Sequence, residues 1–179
     1  MLNVKNILGV CMIKTNYFMG SYSVPVANTL MKLFSQNIRF KRRADISPDV
    51  YEVTEWFTSS PGQKKSVLRH CFHLSQRLHN YFQGIQKKGQ RLAEEYGIDL
   101  INFNPDDIIL DVGANSGDSL IFFRKLDIPL SIYCFEPDPK ALESLYENAA
   151  SWGGSVVVVP KPLGEIEDSM TLYLSTLGG

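Results

Sequence analysis

The most constraining stretch of the chain is Asp111-Val-Gly-Ala-Asn-Ser-Gly-Asp118, which directly follows the short apolar run Ile108–Val112. An apolar run this short, bounded by turn residues, reads as a strand buried on both faces of a parallel sheet. Gly113 and Gly117 remove side chains where the chain turns sharply, and they let a ligand approach the backbone. The helix predicted next, Asp118 to Lys125, begins with N–H groups that have no partner in its own first turn. A strand, a glycine turn and a helix start in that order can hold a nucleotide phosphate or the carboxylate of an amino acid.

The residues around this turn set the fold class. From Pro105 onward, strand, turn and helix signals alternate, the pattern of a parallel α/β sheet. The helix after the turn offers Leu120, Ile121 and Phe122 or Phe123 to the sheet. Ser131 to Phe135 is a second strand. Asp138 caps a second helix with Pro139 at its first position, and Leu142, Leu145 and Tyr146 form its inner face. Ser155 to Val159 is a third strand, ended by Pro160. Met170 to Ser175 reads as a fourth, reached through a loop too short for a crossover helix, so it forms an antiparallel hairpin or edge.

The turn lacks both the G-x-G-x-x-G spacing of dinucleotide folds and the Gly-Lys-Ser/Thr of a phosphate loop. It has instead Asp111 near the strand end, with a second acid, Glu136, closing the next strand. A carboxylate at that second position suits the two hydroxyls of a ribose, since each oxygen accepts one hydrogen bond. Together these features describe an adenosine-containing ligand without a diphosphate, and S-adenosylmethionine (SAM) fits that description. A nicotinamide-linked oxidoreductase is disfavoured by the loop spacing.

The segments Ile-Leu-Asp-Val-Gly-Ala-Asn-Ser-Gly-Asp (109–118) and Cys-Phe-Glu-Pro-Asp-Pro (134–139) resemble the FkbM family of SAM-dependent methyltransferases, as does the hairpin predicted over Leu163 to Ser175. The resemblance spans about residues 105 to 179. It implies that Asp111, Gly113, Asn115 and Gly117 surround the methionine moiety, with Ala114 in the same cofactor-binding turn, and that Glu136 holds the ribose. Asp118 is read either as part of that turn or as the cap of its helix. The family generally methylates hydroxyl groups of sugars or polyketide-type natural products, so the resemblance implies an O-methyltransferase. Folds of this class have seven strands, with SAM across the carboxyl ends of the central ones. The expectation is therefore a Rossmann-like sheet of which about half is present, in a truncated chain. Its first strand lies at an edge that favours self-association. The competing reading is a non-catalytic binding or regulatory protein that keeps the SAM half-site.

Residues 1–104 read as a helical region preceding this partial domain of residues 105–179. Ser47-Pro48 and Ser60-Pro61 each place a capping side chain before a proline at the first helical position. From Pro61 to about Tyr96, Val67, Cys71, Leu74, Leu78, Tyr81 and Ile85 recur at spacings of four and three, one face of an amphipathic helix weakened at Gly84 and Gly89. His70 and His73 have the i, i+3 spacing of a ligand pair, but with no further Cys, His or carboxylate to complete a set, no metal is expected and the histidines read as surface and interface residues.

Composition narrows the remaining classes. With a net charge of −1, no overall field draws the chain onto nucleic acid or an anionic membrane, and the cluster Arg39, Lys41, Arg42, Arg43 reads as a solvated patch. Cys11, Cys71 and Cys134 have no CxxC spacing, which suits a reducing compartment. The apolar stretch Ile7 to Ile13 is far shorter than the roughly 20 residues of a membrane span, so the expected location is the cytoplasm.

Overall fold

In a computed structural model of the 179-residue chain, residues 24–33, 37–58, 66–73, 75–152, 155–165 and 171 are described. The elements are α1 (Val24–Leu33), β1 (Ile38–Arg42), β2 (Val50–Phe57), β3 (Ser66–His73), a 3-10 helix (Ser75–Tyr81), α2 (Ile85–Tyr96), a short 3-10 turn (Ile98–Leu100), β4 (Ile108–Val112), α3 (Leu120–Leu126), β5 (Ser131–Phe135), α4 (Pro139–Ala150) and β6 (Ser155–Val159). They form a mixed α/β protein with two three-stranded sheets. The chain divides into two compact units, Met1–His70 with Leu74–Lys88, and Cys71–His73 with Gly89–Gly179.

The first unit is built on a sheet, which corrects the all-helical reading of residues 1–104. Its strand order is β1-β2-β3, and β1 pairs antiparallel with β2 from Ile38↔Glu55 to Arg42↔Tyr51. In β1, Ile38 and Phe40 alternate with Arg39 and Lys41, and only the apolar pair is buried; that period of two is the strand signal. β2, Val-Tyr-Glu-Val-Thr-Glu-Trp-Phe, is dense in β-branched and aromatic residues that pack well on a pleated surface. Ser47 and Pro48 start no helix. They lie in the turn joining the two strands, where Ser47 N–H donates to Arg43 O at 3.1 Å and Pro48 O accepts from Arg42 Nε at 2.8 Å.

α1 buries Ala27 and Met31, one turn apart. Between them Asn28 spends its amide on the Phe40 backbone, donating from Nδ2 to Phe40 O at 2.8 Å and accepting the Phe40 N–H at 2.7 Å. The Phe40 ring meets Phe82 edge-on at 5.8 Å, a preferred aromatic geometry. The basic cluster is only partly a free patch. Arg39 lies 5.7 Å from the Trp56 ring, and Arg43 pairs with Glu52 and Asp45 at 2.9 Å each. The Arg43 hydrogen bond holds the exposed Asp45 carboxyl below its ordinary value.

The single helix expected over residues 61–96 is also corrected. Ser60, Pro61 and Leu74 lie outside the described residues, but Ser66–His73 is strand and only Ile85–Tyr96 is α-helix. Spacings of four and three here were shared by chance between a strand and the turns that follow it. On a strand, residues three apart point to opposite faces, so His70 and His73 lose the common face a helix would give them. Both are buried rather than on the surface. Gly84 is where α2 separates from the 3-10 helix. It has φ +102°, and a Cβ there would come within 2.5 Å of Glu55 Oε1. That carboxylate accepts the Gln86 N–H at 3.0 Å and so serves one of the unpaired donors of the helix start.

The second unit carries the parallel sheet, ordered β4-β5-β6, with Ile109, Ile132 and Val156 in one row and Asp111, Cys134 and Val158 in the next. This inner face packs on Leu120, Phe122 and Phe123 of α3, Leu142 and Leu145 of α4, and Ala93 of α2. Gly89 has a packing reason: a Cβ would lie 2.5 Å from Ile121 Cγ2. The α4 start is as read, with Asp138 accepting the Lys140 N–H and Pro139 at the first position. Two expectations change. Tyr146 is 49% exposed, because the buried stripe of α4 runs Ala141, Leu142, Ser144, Leu145, Asn148 and leaves Tyr146 on its flank. β4 is not buried on both faces: Ile108, Leu110 and Val112 are 67, 58 and 56% exposed, since the helices of this unit cover one face and β4 stands at the edge. The predicted strand Met170 to Ser175 and the apolar stretch Ile7 to Ile13 lie outside the described residues, apart from Thr171.

Candidate functional site

β4 and β5 deliver the singled-out residues to one place. The chain leaves β4 through a turn in which Gly113, Asn115 and Gly117 all have positive φ, +77°, +51° and +77°. Only glycine and, less readily, asparagine take this conformation at low cost. The turn is tied to the end of β5, where Phe135 O accepts the Gly113 and Ala114 N–H groups at 2.9 and 3.1 Å. Ala114 is buried in the core beneath it.

The two glycines have different tasks. A Cβ on Gly113 would meet nothing within 4 Å, whereas one on Gly117 would fall 2.9 Å from Leu145 Cδ1 and 3.0 Å from Leu120 Cδ1. Gly113 therefore leaves the turn open to a ligand, while Gly117 lets the turn sit down on the helices.

Glu136 follows β5 and is buried. Its Oε2 accepts the Asn115 N–H at 2.7 Å and its Oε1 accepts the Asp138 N–H at 2.8 Å. One carboxylate thus holds the glycine turn and the start of α4 together. Each oxygen has a second lone pair, so a pair of ligand hydroxyls still has acceptors here.

Asp111 lies on the inner face of β4 and accepts from Ser119 Oγ at 2.5 Å. Burial pushes its carboxyl above the ordinary value of 3.8; the Ser119 hydrogen bond opposes that shift, and the neighbouring Asp118 and Glu136 charges add to it. Beside it, burial and the Asp111 charge push the Cys134 thiol up to about 12. Asp118 is not the helix cap. α3 begins at Leu120, and its N-cap position is Ser119, whose hydroxyl goes to Asp111 rather than to the helix. Three carboxylates in one neighbourhood give this end of the sheet a local negative charge.

Sequence reading missed a second set of residues. Ser116, fully buried, donates from its N–H to Asn115 Oδ1 at 2.8 Å, and its Oγ accepts the His73 N–H at 3.3 Å. Asn148 of α4 donates to Ser116 O at 2.6 Å and to Cys71 O at 2.7 Å, and accepts the Cys71 N–H at 2.7 Å. The end of β3 thereby belongs to the same unit as the turn. Its partner Asn148 is 77 residues away in sequence, and no local pattern announces such a pair.

The residues fit an adenosine-bearing amino-acid cofactor on the open backbone at Gly113 and the remaining acceptor capacity of Glu136. Among the described residues no group of three or more His, Cys, Asp or Glu side chains is arranged to hold a metal ion, and no helix is long and apolar enough to cross a membrane. No family model matches the chain. Over 75 residues, 42% of its length, the chain is 37% identical to the 2-O-methyltransferase NoeI of Sinorhizobium fredii (strain NBRC 101917 / NGR234). The match spans 31% of that relative, so the chain shares a segment of a methyltransferase.

Proposed function

We propose that this chain carries the cofactor-binding part of a SAM-dependent O-methyltransferase of the FkbM type, acting on a hydroxyl of a sugar or natural-product acceptor. The observation that carries the reading is the glycine turn after β4 bound to the carboxylate that closes β5. The likeness to a 2-O-methyltransferase supports hydroxyl oxygen as the atom modified, and a cytoplasmic setting suits its buried, unbridged Cys71 and Cys134.

When bound, SAM supplies an electrophilic methyl group on a positively charged sulfur. Glu136 accepts hydrogen bonds from the ribose hydroxyls with the lone pairs its backbone partners leave. The turn from Gly113 to Gly117, with Ala114 and Asn115, presents backbone to the methionine portion, where Gly113 admits it without a side chain in the way. Asp111 contributes negative charge from beneath, which favours a cationic cofactor over its neutral product. The main task of such a site is alignment, since holding the acceptor oxygen in line with the methyl group removes the entropic cost of a bimolecular encounter.

Isothermal calorimetry with S-adenosylhomocysteine tests this. The folded chain binds it saturably, and Glu136→Ala weakens binding by about 1–3 kcal/mol through loss of a charge-assisted pair. A folded chain that takes up no S-adenosylhomocysteine, or a folded Glu136→Ala with unchanged affinity, refutes the assignment.

A further inference from the structure

We propose that Asn148 is a positioning residue for the glycine turn, and that through it the turn is locked to the backbone of β3. The effect on cofactor affinity rests on the function proposed above; the effect on the turn does not.

Asn148 is 6% exposed and sits on the inner stripe of α4, one turn beyond Leu145. Its carboxamide is fully used. Oδ1 takes the Cys71 N–H, while the two Nδ2 hydrogens go to Cys71 O and Ser116 O, all within 2.6–2.7 Å. The orientation is unambiguous, because a flipped amide would set its NH2 against the Cys71 N–H and its oxygen against two carbonyls. Paired with both polar groups of one residue, the side chain does for Cys71 what a neighbouring strand would do. Its third bond reaches the turn at Ser116, between two positions of positive φ. Ser116 in turn receives the His73 N–H, so residues 71–73 grip the turn twice.

Buried amides in such a network are costly to leave unpaired, and nothing else described bonds the Ser116 carbonyl. Removing Asn148 therefore frees the turn between its anchor at Phe135 O and Glu136 and the start of α3. Cofactor binding would then have to order the turn, and affinity falls by that cost.

The test is native-state hydrogen exchange on the ligand-free chain, read at Asn115 and Gly117, whose N–H groups do not touch Asn148. In Asn148→Leu their protection factors drop at least tenfold relative to amides of β5. Val156→Ala, a core truncation away from the turn, lowers protection across the unit without singling out these two. Equal behaviour of the two variants at Asn115 and Gly117 overturns the proposal. If Asn148→Leu does not fold, Asn148→Asp decides. Its carboxylate faces two carbonyls at neutral pH, but the protonated acid donates one bond, so protection at the turn returns as pH falls, and a pH-independent turn overturns the proposal. S-adenosylhomocysteine affinity, measured in parallel, drops tenfold or more with the loss of protection. If the wild-type chain binds no S-adenosylhomocysteine while the turn still loosens, the cofactor assignment fails and the positioning role stands.

Discussion

The two sheets finish their outer faces in opposite ways. On β1 the side chains that alternate with the buried Ile38 and Phe40 are Arg39 and Lys41, and facing strand β2 contributes Glu52 and Thr54 opposite them. That face is chemically complete in water. On β4 the side chains that alternate with Ile109 and Asp111 are Ile108, Leu110 and Val112, continued across the register by Tyr133, Phe135, Val157 and Val159. The β1–β2 pair is patterned for a single core, the β4-β5-β6 sheet for two, although only one of that sheet's faces is covered by the helices of its unit. The difference lies in side-chain choice along strands of similar length, so it can be probed one residue at a time.

The largest effects belong to the faces that both sheets bury. Phe40→Ala in β1 and Ile132→Ala in β5 each remove a side chain with almost no exposure and should cost roughly 3–5 and 2–5 kcal/mol, read as shifts in the urea midpoint at constant slope. A cost below about 1 kcal/mol in either would mean that its inner face is not the core described. Next come the two glycines of the turn. Both must give up a positive φ, worth about 1–2 kcal/mol on substitution by alanine, but only Gly117→Ala also drives a methyl into Leu145 and Leu120. Gly117→Ala should therefore be the more destabilising by a further 1–3 kcal/mol or so, and equal losses would contradict the division of labour between them.

Smaller still is the effect of Asp111→Asn, and its sign is informative. Because the folded protein raises this pKa above 3.8, the folded state holds the proton at pH values where the unfolded chain has lost it. Stability therefore declines as pH rises from the unfolded value through the folded one, and stays lower above it. The variant should be as stable as the parent in acid and more stable at neutral pH, by thermal melts across that window. A variant less stable at neutral pH would show that the charge is favourable where it stands. The smallest change is expected at the uncovered face: Leu110→Lys should alter stability by no more than about 0.5 kcal/mol, read from the same urea midpoint. A loss comparable to Ile132→Ala would erase the contrast between the two sheets.

How much of this was legible follows from where each signal is stored. β4, β5 and β6 begin and end where the sequence reading placed them, because each is a short apolar run closed by turn residues, and Asp138-Pro139 marks the start of α4 on its own. The first sheet was obscured by signals that are true of helices but not exclusive to them. A serine before a proline also suits a β-turn, as at Ser47-Pro48, and the spacing of Val67, Cys71 and Leu78 says nothing about where a strand gives way to a 3-10 helix. That Gly113 and Glu136 come together could be read from their positions after strands that pair in the sheet. The use of both Glu136 oxygens by backbone N–H groups could not, nor could Asn148, whose role exists only once residue 71 has been brought to it. Local chemistry writes turns and caps into the sequence; long-range pairing leaves no mark there.

Cys134 gives this region a clock. Only the thiolate of a cysteine is nucleophilic, and a thiol at about 12 beneath a sheet with no exposed surface is sealed against alkylating reagents both chemically and sterically. Modification of Cys134 must wait for β5 to part from its neighbours, so the labelling rate counts openings of the parallel sheet rather than collisions at the surface. A ligand that binds at the turn clamped to β5 would slow that count in proportion to its occupancy, and would so report its own presence.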